Sequence, residues 1–160
     1  MSAVLTIAGV IIVLDQLTKL IVLERLSPGV MVPLIDGFLA LTLVLNPGLA
    51  FGLLGGLPGP WRWIVAVLSL AALFVLARMA MRILTPGTVL DRTAIGLIFG
   101  GAVGNLIDRA RFGAVVDFID VHYRGWHWPA FNVADSAITV GVVLLALRLL
   151  TGPSARASSA

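Results

Sequence analysis

Four stretches, residues 3–23, 61–81, 89–107 and 133–150, are almost wholly apolar, and each approaches the roughly 20 residues that a helix needs to cross a bilayer. A helix apolar on every side has no face to offer water. In hydrocarbon it is also one of the few backbone forms that leaves no polar group unpaired. Composition points the same way: 59% of the chain is hydrophobic and 12% charged, against about 25% charged in an ordinary soluble domain. The reading is a membrane α-helical protein, a four-transmembrane-helix bundle forming a single integral membrane domain over residues 1–160. Residues 3–23 lack a basic leader and a small-residue cleavage site, so they read as a retained first span and not as a cleaved signal.

Breaks in the pattern set the topology. Gly55, Gly56, Pro58, Gly59 and Pro60 interrupt the chain before the second span, and Thr85, Pro86 and Gly87 turn it tightly before the third. The small and polar residues from about 151 read as a flexible tail. An even number of crossings puts both termini on one side and the long connections, 24–60 and 108–132, on the other. Residues 36–44 and 115–123, rich in β-branched and apolar types, read as strands lying at the interface. Lys and Arg near the span ends number five on the termini side and six on the other, so charge counting alone does not orient the chain. The termini are placed in the cytoplasm because the opposite cations lie among seven acids, whereas Arg78, Arg82 and Arg92 flank a short loop.

Several function classes fall away. There is no cysteine, hence no thiolate nucleophile or disulfide. The 11 basic residues are scattered, so no nucleic-acid partner is expected. No His-Glu-x-x-His is present; His122 and His127, five apart in what reads as a loop, have poor ligand spacing, and no metal is expected. Ser136 has no nucleophile elbow around it. Lys19, the single lysine, lies four residues after Asp15 and reads first as its salt-bridge partner. Gly100, Gly101 and Gly104 read as small residues that let helices approach.

The acids are where chemistry is to be sought, because ionisable groups at membrane depth are costly. Asp15, Lys19, Asp108, Arg109, Asp117 and Asp135 all map to one side. Asp108 and Arg109 end the third span, Asp135 opens the fourth, and the loop between carries Asp117, so Asp117 and Asp135 can meet at one level. Two facing carboxylates sharing a proton are a hydrolytic device: one takes a proton from water while the other hydrogen-bonds the carbonyl under attack. Asn105, Asn132 and Arg109 are candidates to orient the pair or hold a substrate. Taken singly, Asp108–Arg109 also reads as a snorkelling pair and Asp135 as a first-turn helix acid. An ion pathway and a non-catalytic binding factor are the rival classes. The first would need polar groups at several depths, and the second differs from an enzyme only in lacking turnover.

Five motifs carry a family resemblance: Asp15-Gln16-Leu17-Thr18-Lys19, Asn46-Pro47-Gly48-Leu49-Ala50-Phe51-Gly52, the run from Gly100-Gly101 through Gly104-Asn105-Leu106-Ile107-Asp108-Arg109, Val115-Val116-Asp117-Phe118, and Phe131-Asn132-Val133-Ala134-Asp135-Ser136. In that order the chain resembles the lipoprotein signal peptidases, signal peptidase II, the bacterial intramembrane aspartic peptidases. The resemblance implies cleavage of diacylglyceryl-modified prolipoproteins just before the lipidated cysteine, with Asp117 and Asp135 as the catalytic pair. It implies supporting or substrate-binding roles for Asp15, Lys19, Asn46, Gly48, Asn105, Asp108, Arg109, Asn132 and Ala134, and no metal or organic cofactor. It further implies a small extracytoplasmic β-sheet cradle from 36–46 and an interfacial segment from 46–57. The expected setting is the bacterial cytoplasmic membrane, with membrane lipid around a multi-pass monomer and the active site near the extracytoplasmic face.

Overall fold

In a computed structural model of the chain, the structure describes residues 2–48, 67, 68, 71, 74, 75, 78 and 87–151. The expected second span (61–81), the breaks before it, Thr85 and Pro86, the interfacial segment beyond Gly48 and the tail from 152 lie outside the described residues. The exceptions are Val67, Leu68, Ala71, Phe74, Val75 and Arg78, which are helical and exposed.

Among the described residues three helices and a small sheet follow one another as α1 (Ser2–Arg25), β1 (Val32–Ile35), β2 (Leu39–Asn46), α2 (Val89–Phe112), β3 (Val115–Tyr123), β4 (Trp126–His127) and α3 (Val133–Thr151). Helices α1 and α2 are each long and apolar enough to cross a membrane. Leu5, Val10, Val13, Leu17 and Ile21 on α1 are exposed, as are Val140, Val142, Val143 and Leu147 on α3. Apolar surface of that extent marks contact with something other than water.

Local chemistry sets the ends of α2. Thr88 and Asp91 form a reciprocal capping box at its start. Gly113 stops it in the left-handed conformation at φ 68°, with its N–H donated to the Arg109 carbonyl. The helix therefore runs five residues beyond the expected end at 107. Asp108 and Arg109 lie inside its last turns and do not end it, because the stop signal is Gly113 and the basic last turn (Arg109, Arg111) suits the helix dipole.

Helix α2 is packed between α1 and α3 at a separation that only glycine permits. A Cβ at Gly100 would lie 2.8 Å from the Ala8 carbonyl oxygen of α1, and one at Gly101 would collide with the Ala134 carbonyl and the Ile138 side chain of α3. One at Gly104 would come within 2.6 Å of an Asp15 carboxylate oxygen. The small-residue reading of these glycines thus holds, and at Gly104 the same closeness brings an ionised side chain against the helix backbone.

The sheet is antiparallel in the order β1-β2-β3-β4. Residues 36–38, expected within a strand, form the turn between β1 and β2, where Gly37 has φ 71°. The histidine stretch expected as a loop is a hairpin: Arg124 and Gly125 both have positive φ (50° and 82°), the backbone signature of a two-residue hairpin turn. A core of Val22, Leu43, Val116 and Phe118 joins the sheet to α1. Phe131 bridges to Ile119 of β3 through two backbone hydrogen bonds, 2.8 and 3.1 Å. That bridge delivers the start of α3 beside Val116 and Asp117.

Candidate active site

Asp117 is the third residue of β3, 2% exposed, and each of its carboxylate oxygens receives an amide. Asn132 Nδ2 donates to Oδ1 at 2.7 Å, and Asn46 Nδ2, from the end of β2, donates to Oδ2 at 3.0 Å. Burial pushes this carboxyl up to about 7. The Asn46 hydrogen bond works against that rise, the charge of Asp135 adds to it, and the Asn132 bond opposes it.

Asp135 comes from the first turn of α3. Asn132 is the N-cap of that helix: its Oδ1 accepts the Asp135 backbone N–H at 2.9 Å. The Asp135 carboxylate accepts from Asn105 Nδ2 of α2 at 2.8 Å. Asn105 is itself oriented by Lys19, whose Nζ donates to Asn105 Oδ1 at 3.0 Å and so turns the amide nitrogen toward Asp135. The two carboxylates are thus presented by a strand and a helix start, and the two asparagines are linked through an Asn132 Nδ2 to Asn105 Oδ1 contact of 3.3 Å.

Beneath them lies a buried ionic layer. Lys19 is 2% exposed and spends its three protons on Asp15 (2.8 Å), Asp108 (2.7 Å) and Asn105. The expected Asp15–Lys19 pair is present, and Asp108 joins it. One cation does not balance two carboxylates, so neutral donors complete the shell. Asp15 Oδ1 accepts the Ala134 N–H at 2.9 Å, Asp108 Oδ2 accepts the Val116 N–H at 3.1 Å, and Asp108 Oδ1 accepts Gln16 Nε2 at 2.9 Å. Ala134 contributes its backbone N–H and its smallness, being fully buried where α2 and α3 meet. The Asp108–Arg109 snorkelling pair is not formed: Asp108 is 1% exposed and turned to Lys19.

Arg109 reaches the other way. Its Nη2 donates to the Gly48 carbonyl at 3.1 Å and its Nη1 to the Asn105 carbonyl at 3.4 Å. The Gly48 N–H in turn donates to Asn46 Oδ1 at 3.0 Å, an Asx-type turn that links Arg109 to the Asn46 clamp on Asp117. Arg109 Nε is buried and has no hydrogen-bond partner among the described residues.

Asp15, Lys19, Asn46, Gly48, Asn105, Asp108, Arg109, Asp117, Asn132, Ala134 and Asp135 are therefore joined in one connected network. Gln16 was overlooked as a participant: it touches Asp15, Asp108 and the Gly104 carbonyl, and its position beside Asp15 was the signal available. Chemically, the network holds one carboxyl near neutrality within electrostatic reach of a second carboxylate and of the Arg109 guanidinium, an arrangement suited to acid–base work at neutral pH.

The profile of the family described as Signal peptidase (SPase) II matches residues 7–151. The lipoprotein signal peptidase of Polynucleobacter necessarius is 46% identical over 141 residues, covering 88% of this chain and 85% of that protein. The lipoprotein signal peptidase of Syntrophotalea carbinolica is 46% identical over 143 residues, covering 89% and 88%. Two bacterial membrane enzymes solved by the in meso method superpose with TM-scores of 0.76 and 0.70 at 35% and 34% identity, each alignment covering 94% of this chain and 88% and 94% of the respective enzymes.

Proposed function

Because the chain belongs to the signal peptidase II family of bacterial membrane peptidases, we propose that it removes signal peptides from diacylglyceryl-modified prolipoproteins by an aspartic mechanism centred on Asp117 and Asp135. The observation that carries the reading is the double clamp: Asn132 on Asp117 and Asn105 on Asp135, with the asparagines themselves in contact. In this mechanism the neutral carboxyl hydrogen-bonds the scissile carbonyl while the ionised one takes a proton from water. The water oxygen bonds to the carbonyl carbon, the carbon–nitrogen bond breaks, and the carboxyl proton passes to the departing amine of the lipidated cysteine.

The proposed setting follows from the same premise. A single integral membrane domain of four crossing helices, termini in the cytoplasm, places the carboxylates near the extracytoplasmic face. The substrate is itself anchored in the membrane, so the enzyme receives the bond by lateral diffusion and has to position it more than capture it. The protein acts as a monomer, and hydrolysis needs no metal or organic cofactor. Membership of a peptidase family removes the ground for the ion-pathway and non-catalytic readings.

The test is cleavage of a diacylglyceryl-modified prolipoprotein by the purified protein, beside Asp117→Asn, Asp135→Asn and the unmodified precursor. Wild-type cleavage just before the lipidated cysteine, with both variants folded but inert and the unmodified precursor spared, is expected. Near-normal turnover by both variants would refute the carboxylate pair, and equal cleavage of the unmodified precursor would refute the lipid requirement.

A further inference from the structure

Outside the network just described, three side chains with metal-ligating atoms converge on one point of the sheet. Asp120 and His122 are two residues apart on β3 and so share a face. His127 of β4 is the direct cross-strand partner of His122. The imidazole rings stack with centroids 5.0 Å apart and planes 24° from parallel. Both present Nδ1 to the same carboxylate: Asp120 Oδ1 lies 2.7 Å from His122 Nδ1 and 3.0 Å from His127 Nδ1, with Oδ2 also 3.0 Å from the latter.

We infer that Asp120, His122 and His127 form a binding site for a divalent transition-metal ion of the zinc type, at which the ion clips β4 to β3. The chemistry of the donor set fits: two imidazole nitrogens and one carboxylate oxygen, all within 4.8 Å of one another, form a common three-ligand zinc set that leaves a fourth position for water. Tetrahedral zinc holds its nitrogen and oxygen ligands roughly 3.3 Å from each other. The two carboxylate–imidazole separations of 2.7 and 3.0 Å therefore need to open by only a few tenths of an ångström. The side chains of Asp120 and His122 are 12% and 16% exposed and that of His127 is 45% exposed, which gives an ion a route in and leaves its open position toward solvent.

The frame is already rigid. The His122 N–H donates to the Phe38 carbonyl at 2.8 Å, the Trp128 N–H donates to the Val121 carbonyl at 2.8 Å, and the Arg124–Gly125 turn sets the register. The inference does not rest on the peptidase reading, since none of the three side chains bonds to Asp117 or Asp135.

These two are the only histidines in the chain, so the test uses the full-length protein without a histidine tag, stripped with chelator and titrated with Zn²⁺ by calorimetry at neutral pH. One equivalent should bind saturably, raise the thermal midpoint, and, with Co²⁺ in its place, give a visible absorption band. Asp120→Asn and His127→Gln should each weaken Zn²⁺ binding by about tenfold or more, since losing one of three ligands costs at least what losing an outer-shell partner does. His127→Gln, at the most exposed position, keeps the test valid if a buried variant fails to fold. Asp117→Asn should bind as wild type does. Absence of saturable binding, or binding unchanged in His127→Gln, would reduce the cluster to a carboxylate-bridged histidine pair. Binding lost in Asp117→Asn would move the metal to the other carboxylates; either result overturns the assignment.

Discussion

Asn132 Nδ2 lies 2.7 Å from Asp117 Oδ1 while Oδ1 of the same amide caps α3 by accepting the Asp135 N–H at 2.9 Å. One side chain thus fixes both proposed catalytic carboxylates, holding one directly and the other through the helix start that carries it. Its two ends can be separated by mutation.

Asn132→Ser keeps an oxygen for the cap and loses the amide donor, whereas Asn132→Ala loses both. We expect Asn132→Ala to cost about 1 kcal/mol of stability through the cap, plus the penalty of the unpaired Asp117 oxygen. Asn132→Ser should recover the cap's share in thermal unfolding. Turnover should fall by about tenfold or more in both, because the amide that orients Asp117 is gone from each. Full activity in Asn132→Ser would show that Asp117 needs no such donor.

The proposed role of Asp117 ties activity to neutral pH. Its carboxyl is raised from 3.8 to about 7 chiefly by burial, so the kcat/KM profile should show a limb near pH 7 and not near 4. Asn46 favours the ionised form through its hydrogen bond, so Asn46→Ala should move that limb to higher pH. The same shift sets a stability slope: the folded state holds this proton more tightly than the unfolded chain, so the stabilisation is complete below about 4 and is lost as pH rises through about 7. Thermal midpoints measured across that range should fall less steeply with pH in Asp117→Asn than in wild type.

Lys19 serves stability before chemistry. Replacing it by Ala leaves Asp15 and Asp108, 0% and 1% exposed, without their cation, and breaking a buried ion pair by removing one partner costs about 3 to 5 kcal/mol. The expected outcome is a large loss of folded protein, or a raised KM with kcat close to wild type in what remains. A collapsed kcat at unchanged KM and unchanged thermal midpoint would instead bring Lys19 into the reaction.

Gly101 tests the helix packing. A valine there would meet the Ala134 backbone carbonyl and Ile138, and because a backbone atom cannot swing aside, α3 must move. Overpacking of this kind costs about 1 to 3 kcal/mol, and the shift carries Asp135 with it. Gly101→Val should therefore lower both the thermal midpoint and kcat, whereas Gly9→Ala, inside α1 with open space around its Cβ, should leave kcat unchanged and hold or raise the midpoint.

How much of this was legible beforehand follows from the range of the interactions involved. The apolar runs of α1, α2 and α3 were readable because helix formation in lipid depends on local composition, and the i,i+4 Asp15–Lys19 pair because one helix face sets it. The apolar run predicts the end of α2 at 107, five residues early, because it fades before the actual stop at Gly113. The histidine stretch reads as a loop in the sequence because nothing in Arg124–Gly125 announces a two-residue turn as strongly as Asn-Gly would.

In the sequence, burial cost marks the charged candidates: charges on an apolar chain are too expensive to be idle, and the expected topology puts them on one side. Which of them touch was decided only by tertiary structure. Asp108 meets Lys19 and not Arg109, Asn105 meets Asp135, and Asn132 meets Asp117, across separations of 89, 30 and 15 residues. Those pairings depend on the Phe131–Ile119 bridge that sets the start of α3 against β3 and on glycine-close packing of α2 between its neighbours. Both are properties of the assembled fold: a hydrogen bond or ion pair forms within about 3 Å, and no local propensity positions two distant side chains that finely.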